Sequence, residues 1–422
     1  MAIDPEELKR RRVQRQQQRQ ARQKKTIVRL VIAGIAVVLC SILIISLVAA
    51  ANKKPGSNGT QPPVISDQTD TSAAEQTQPP QTVIHMAAVG DLNITEAVVS
   101  SGGANQDYTN TFLDVAHLLA DADVTTVNFE GNLYGPPYGT DRSAPQSMAE
   151  ALSAAGVDLV QLANSYSIYK GMEGLSETID SIRLAGMEPL GVYASAGDAK
   201  AGKGYTICDV QGVRIAFVAF TKGMDGMALP PGNEGCVNVL YTDYSTDYQT
   251  VDTEGISRVL DAAAKEKPDI TVALLHWGSE FNNTVSQSQK DICKLMQSKG
   301  VDAIIGTHSH YVQKIEFDPT VGTFAAYSLG DFLGDAQRAG SEYSVILDLE
   351  ITKDNQSGQA KITNYSYTPI FTVAEEGKPL KLLRIREAMK AFEEGYLDRV
   401  SQQTYDAMKY ALERIEARVN GK

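Results

Sequence analysis

Two of the five histidines in this 422-residue chain stand one residue apart in VDAIIGTHSHYVQ, at His308 and His310. Alternate positions of an extended segment point their side chains the same way, which two imidazoles need if they are to chelate one cation. A third histidine, His276, ends the apolar run of DITVALLHWG. Asp91 follows Gly90 after another apolar run, and Glu130 lies between Phe129 and Gly131, an awkward place for a surface charge. Each residue also has a plainer reading. Asp91 could cap a helix or close a turn, His276 could be a hydrogen-bonded core histidine, and the 308/310 pair could be two loop residues. Taken together, imidazoles mixed with carboxylates suit Zn, Mn or Fe better than Ca or Mg. The other two histidines read as structural: His85 inside an apolar strand, His117 on a helix between Ala116 and Leu118.

Residues this far apart meet only if the fold collects them. From Val83 onward, short β-rich runs alternate with helix-like stretches, an α/β pattern. Strands are expected at 83–90, 124–130, 157–164, 213–220, 269–278, 301–310, 322–332 and 342–351. Helices are expected at 111–122, 145–156, 174–186, 254–267 and 287–300. Asp91 follows the first strand, Asn128 and Glu130 lie on the second, Asn164 on the third, His276 on a later one, and the histidine pair at the end of another. Open α/β sheets bind ligands beyond the carboxyl ends of their strands, so these side chains should converge at one edge.

The N-terminal part obeys different physics. Residues 1–30 carry ten Lys or Arg against three acids, and residues 31–51 carry no charge at all. Twenty-one uncharged residues at about 1.5 Å each cover the roughly 30 Å hydrocarbon core of a bilayer. The positive-inside rule then places the N-terminus in the cytoplasm and the rest outside. The alternative is a cleaved signal peptide, with Ala49, Ala50 and Ala51 as the cleavage region. Residues 52–82, rich in Pro, Ser, Thr, Gln and Gly, read as a flexible linker. The whole chain has a formal charge of −12, of which residues 1–30 contribute +7 and the remainder −19. An ectodomain this acidic argues against nucleic acid as a partner. Cys208, Cys236 and Cys293 are too few and too scattered for a disulfide framework. The tail from 378 to 422 has helical period and should pack as amphipathic helices on the main domain.

The ordered motifs VGDLNI, VNFEGNL, RSAPQSMAEALSAAGVDLVQLANS, LLHWGSEF, GTHSHYVQKIE and YSLGDF resemble the capsule-synthesis CapA family, associated with poly-γ-glutamate assembly and related to calcineurin-like metallophosphoesterases. The likeness spans about residues 83–372, leaving 373–422 as a helical extension. It implies a four-layer α/β/β/α sandwich whose metal ligands are Asp91, Glu130, His276, His308 and His310. It also implies a cell-membrane protein taking part in capsule synthesis or export, with membrane partners and an anionic polymer as substrate. Arg142 resembles a family position near the site and could grip an anion bidentately; its plainer reading is an exposed loop arginine. Asn128, Asn164 and Glu280 are the other candidate contacts, and Glu280 and Tyr166 are candidate general acids. One segment departs from the family pattern. ANSYSIYKG, residues 163–171, has Ser165 where an asparagine ligand is expected, Tyr166 in place of a histidine and Tyr169 in place of an aspartate; Asp331 stands where asparagine is common. Two functions therefore stay open: a metal-dependent hydrolase, and a catalytically degenerate assembly component on the same fold.

Overall fold

In the computed structural model, which describes residues 80–335, 338–375, 378–396 and 400–421, the chain starts one sheet, leaves it to build a second, and returns to finish the first. The first visit lays down β1 (Gln81–Asn93), β2 (Val124–Glu130), β3 (Leu159–Gln161) and β4 (Glu188–Leu190). The second sheet follows: β5 (Tyr205–Val210), β6 (Val213–Thr221), β7 (Ile270–His276), β8 (Ala303–Thr307), β9 (Ile315–Asp318) and β10 (Thr323–Ala326). The return adds β11 (Asp331–Leu333), β12 (Tyr343–Asp354), β13 (Ala360–Val373) and β14 (Lys381–Arg384). The first sheet runs β14-β13-β12-β1-β2-β3-β4 with β11 beside the end of β1, and the second runs β5-β6-β7-β8-β10-β9.

The strands that matter to function pair in parallel among themselves, β1 to β4 in one sheet and β6 to β8 in the other, while the outer neighbours β12 and β5 run antiparallel. Parallel strands are covered on both faces, which is why β2 and β7 are buried at every position. Period-2 alternation sorts their side chains. Val127 and Phe129 of β2 pack with Met148, Leu152, Leu175 and Ile179 from the helices Gln146–Ala155 and Gly171–Leu184. Ala273 and Leu275 of β7 pack with Ile256, Leu260, Ile292 and Met296 from the helices Thr253–Ala264 and Gln287–Ser298. Asn128, Glu130 and His276 are consequently turned to the opposite faces of their strands. The last of these helices is fixed at its start by a reciprocal pair, Ser286 with Gln289.

Three sequence expectations change. The single strand expected at 322–332 is two, β10 in one sheet and β11 in the other, because the chain turns at Gly330 with φ +81° and crosses between them. The helix expected at 111–122 is broken into Thr109–Phe112 and Ala116–Asp121. The first sheet also runs past residue 372: β13 ends at Val373 and β14 pairs with it, so the C-terminal extension begins with a strand before its two helices, Ile385–Glu393 and Gln402–Val419. Among the described residues no helix is long and apolar enough to cross a membrane; the span expected at 31–51, with the tail and linker flanking it, lies outside those residues.

Gly90 sets the geometry of the first site residue. A Cβ there would lie 1.7 Å from the Gly330 carbonyl oxygen, to which the Asp91 N–H donates at 3.1 Å. Only hydrogen fits between the two backbones, at the point where the β1–β2 register shifts between Ala88 and Asp91. Gly90→Ala should therefore cost about 3 kcal/mol or more in chemical denaturation. Gly197→Ala, on a short helix where the nearest atom is 3.6 Å away, should be neutral or stabilising by up to about 1 kcal/mol.

Candidate metal centre

The five residues singled out in the sequence meet between the carboxyl ends of the two sheets. His276 Nε2 lies 3.1 Å from Glu130 Oε1, and His276 Nδ1 lies 3.8 Å from Asp91 Oδ1. The His276 and His308 rings are 4.4 Å apart, and His308 and His310 are 6.3 Å apart. Donor atoms of Glu130, His276 and His308 all lie within 4.8 Å of one another, as do donor atoms of Asp91, Glu130 and His310. Glu130 belongs to both groups. All five residues are buried.

The geometry of the histidine pair differs from expectation. β8 ends at Thr307, and His308 and His310 occupy left-handed conformations, φ +84° and +58°. They are not alternate residues of an extended segment; each is turned separately, and they fall into different donor groups. Such backbone strain is rare outside glycine and is held here by neighbours. The His308 N–H donates to Asp91 Oδ2 at 2.8 Å, and the Ser309 carbonyl accepts from the Phe281 N–H at 2.8 Å. His310 Nδ1 meets Asp331 Oδ1 at 2.8 Å, and its ring stacks on Phe281 at 4.8 Å.

Asparagines brace the carboxylates. Asn128 donates to Asp91 Oδ1 at 2.5 Å, and Asn164 donates to Asn128 Oδ1 at 3.1 Å and to the Phe129 carbonyl at 2.7 Å. In the altered segment, Ser165 Oγ lies 3.0 Å from His276 Nε2. The Arg142 guanidinium lies 4.3 Å over the Tyr166 ring and, with Thr95, Glu96 and Asp335, lines a cavity of about 620 Å³. Glu280 is exposed and makes no hydrogen bond to the five among the described residues, though its charge is felt at Glu130. Trp277 is a core residue, donating to the Tyr327 carbonyl at 2.9 Å. His85 and His117 are exposed and away from the site.

The electrostatics suit a group of residues able to hold a cation. Burial, followed by the Glu130 charge, pushes Asp91 well above the usual carboxylate range. Burial raises Glu130 to about 7, against the pull of His310 and Arg142. Burial also holds His276 and His308 well below the usual imidazole value, keeping them in the neutral form that ligates metals. His310 behaves oppositely: burial lowers it, but Asp331, Glu130 and Asp91 together bring it to about 10. Glu130 Oε2 and both ring nitrogens of His308 are buried without any hydrogen-bond partner. Unpaired polar atoms at full burial are costly, and here all three belong to one donor group, so the residues fit a divalent cation.

Three neighbours escaped the sequence reading as site residues. Asp331 and Asn93, at 2.8 and 3.3 Å from His310 Nδ1, orient that ring. Lys222 donates its N–H to the His276 carbonyl at 2.7 Å. The available signal was positional: Lys222 is the residue after β6, and Asn93 closes β1.

A two-sheet α/β domain with a carboxylate–imidazole cluster at its parallel strand ends is thus the class of protein at hand. The chain belongs to the bacterial capsule synthesis protein PGA_cap family, whose model matches residues 85–336. It is 27% identical over 282 residues to a capsule biosynthesis protein CapA of Bacillus anthracis, covering 64% of each chain, so it spans just under two thirds of that relative. It is 24% identical over 290 residues to the PGA biosynthesis protein CapA of Bacillus subtilis, covering 67% of this chain and 71% of that one. The calcineurin-like phosphoesterase YfkN from Bacillus subtilis is similar at 16% identity and a TM-score of 0.42, over 79% of this chain and all of that one.

His308→Ala should abolish stoichiometric metal uptake, measured by elemental analysis. Asn128→Ala should weaken uptake by about 10- to 100-fold, the usual effect of removing a group that orients a ligand.

Proposed function

We propose that this protein is a membrane-anchored, extracellular component of capsule synthesis or export. On this reading it uses a divalent transition metal (Zn, Mn or Fe) on a four-layer α/β/β/α sandwich to act on an anionic polymer. The polymer suggested by the family resemblance is poly-γ-glutamate, and the Bacillus subtilis relative is named a PGA biosynthesis protein. The uncharged run 31–51 behind a basic tail supports the anchor, with the N-terminus cytoplasmic and capsule-synthesis membrane proteins as partners. The observation that carries the metal-dependent part is the set of three unpartnered buried donor atoms, Glu130 Oε2 with His308 Nδ1 and Nε2.

Asp91, Glu130, His276, His308 and His310 would hold the ion. When bound, it supplies Lewis acidity, drawing electron density from a phosphoester or amide and easing deprotonation of water. The chain's own residues do the rest. Asn128 and the His308 N–H fix both Asp91 oxygens. Arg142, held over Tyr166 at the mouth of a cavity, is placed to bind an anionic group. Burial, then the Glu130 charge, raises Tyr166 to about 12, so at neutral pH it stays protonated and is a poor proton donor to a leaving group.

A second reading is favoured by one contact. Ser165 Oγ occupies His276 Nε2 at 3.0 Å, at the position where the family resemblance calls for an asparagine ligand. On that reading the fold is a non-enzymatic assembly component. The test uses the full detergent-solubilised chain, assayed for metal content and for hydrolysis of a generic phosphodiester and of γ-glutamyl chains. On the hydrolase reading the wild type carries metal and turns over one of them slowly. The double substitution Ser165→Asn, Tyr166→His should raise that rate by about 100-fold, the scale of a restored general acid. Metal without turnover in both proteins would leave the assembly reading standing.

A further inference from the structure

Lys222 adjoins the candidate metal centre through the His276 backbone, and among the described residues its ammonium has no carboxylate partner. Thr221 pairs with His276 across the parallel β6–β7 ladder, and the Lys222 N–H donates to the His276 carbonyl at 2.7 Å. From there the side chain follows the His276–Gly278 segment: Nζ donates to the Gly278 carbonyl at 3.0 Å and lies 4.6 Å over the Tyr248 ring. An ammonium has three donors, and two of these have no protein acceptor among the described residues. No carboxylate there lies within 4.0 Å of Nζ. The residue is partly withdrawn from water, and its charge reaches both His276 and His308. Glu280 is the nearest felt counter-charge, yet it is exposed and makes no ion pair with Lys222.

An anion arriving at the centre is attracted to a bound ion and to the Lys222 ammonium together, more strongly where water is partly excluded. Arg142 lies in the loop after β2 of the first sheet and Lys222 directly follows β6 of the second, and their charges reach Glu130 and His276 respectively, so the centre has a cationic side chain from each sheet near it.

We infer that Lys222 binds an anionic oxygen group of the ligand, carboxylate or phosphoryl, next to the metal and across from Arg142; this rests on the metal-dependent reading above and adds the residue that selects for charge. The test is calorimetric titration of the full chain, supplied with Mn²⁺, with inorganic phosphate and separately with γ-linked tri-glutamate. Lys222→Met should weaken at least one of these by about 10-fold or more, the scale of a lost charge-assisted hydrogen bond, with metal content and thermal midpoint unchanged. Lys222→Arg should restore binding to within about 3-fold. A loss confined to tri-glutamate assigns the group as carboxylate, and a loss confined to phosphate assigns it as phosphoryl. Unchanged binding of both probes by Lys222→Met overturns the inference, as does failure of the wild type to bind either. Metal loss in Lys222→Met also overturns it, since the residue would then be a brace. A wild type without metal defeats the metal reading alone, because anion binding is measured directly.

Discussion

Three carboxylates, Asp91, Glu130 and Asp331, are buried in one site, none more than 5% exposed. Two unit charges about 4 Å apart repel by about 4 kcal/mol at an effective dielectric near 20, and burial adds a desolvation cost for each. The protein offsets only part of this. His310, brought to about 10 by its carboxylate neighbours, can carry one positive charge. His276 and His308 are held neutral and supply none. What remains is excess negative charge facing two neutral imidazoles, a donor set that a divalent cation would neutralise and a proton would only quench. Much of the surrounding structure follows from that constraint, including the hydrogen-only gap at Gly90, the left-handed turns at His308 and His310, and the asparagine relay from Asn164 through Asn128 to Asp91.

How far this could be read from the chain depends on which kind of order each residue obeys. Asp91, Glu130 and His276 sit at the ends of strands whose apolar runs are continuous, and parallel topology brings strand ends together whatever the details. Their convergence was therefore legible. The alternation that turns Val127 and Phe129 to the helices and Asn128 and Glu130 away from them is equally a matter of period 2. His308 and His310 were legible as a pair but not in their geometry, since the left-handed turns are imposed by contacts to Asp91, Phe281 and Asp331 from distant segments. The same applies to the 322–332 run. Its composition is uniformly strand-like, and only the crossing of Gly330 against Gly90 divides it between sheets. Lys222 was hidden because a lone lysine after a strand looks like ordinary solvated surface until His276 is found beside it.

The altered segment 163–171 looks different once its contacts are known. Asn164 keeps its place in the relay, and Ser167 closes the turn by donating to the Leu162 carbonyl at 2.6 Å. Ser165 and Tyr166 have taken over contacts: the serine hydroxyl on His276, and the phenol ring as a platform for Arg142. The segment thus braces the site through Asn164 and Ser167 while presenting a hydroxyl and a phenol ring to it.

The C-terminal helix is tied to this same site. Arg418 places its guanidinium 4.9 Å from the Tyr311 ring and 5.2 Å from Tyr343, and Tyr311 directly follows His310 in sequence. The Tyr311 hydroxyl in turn donates to the Ala339 carbonyl at 3.0 Å, on the segment that follows Asp331. Gly340 lies beside both, with Tyr311 and Arg418 atoms 3.2 and 3.4 Å from where its Cβ would be. The two partners that hold His310, its own turn and the Asp331 strand, are thereby joined at a point the last helix covers. The helix, expected from its period to pack on the main domain, does so at the back of the histidine loop, and strain at φ +58° in His310 is resisted by packing from the far end of the chain.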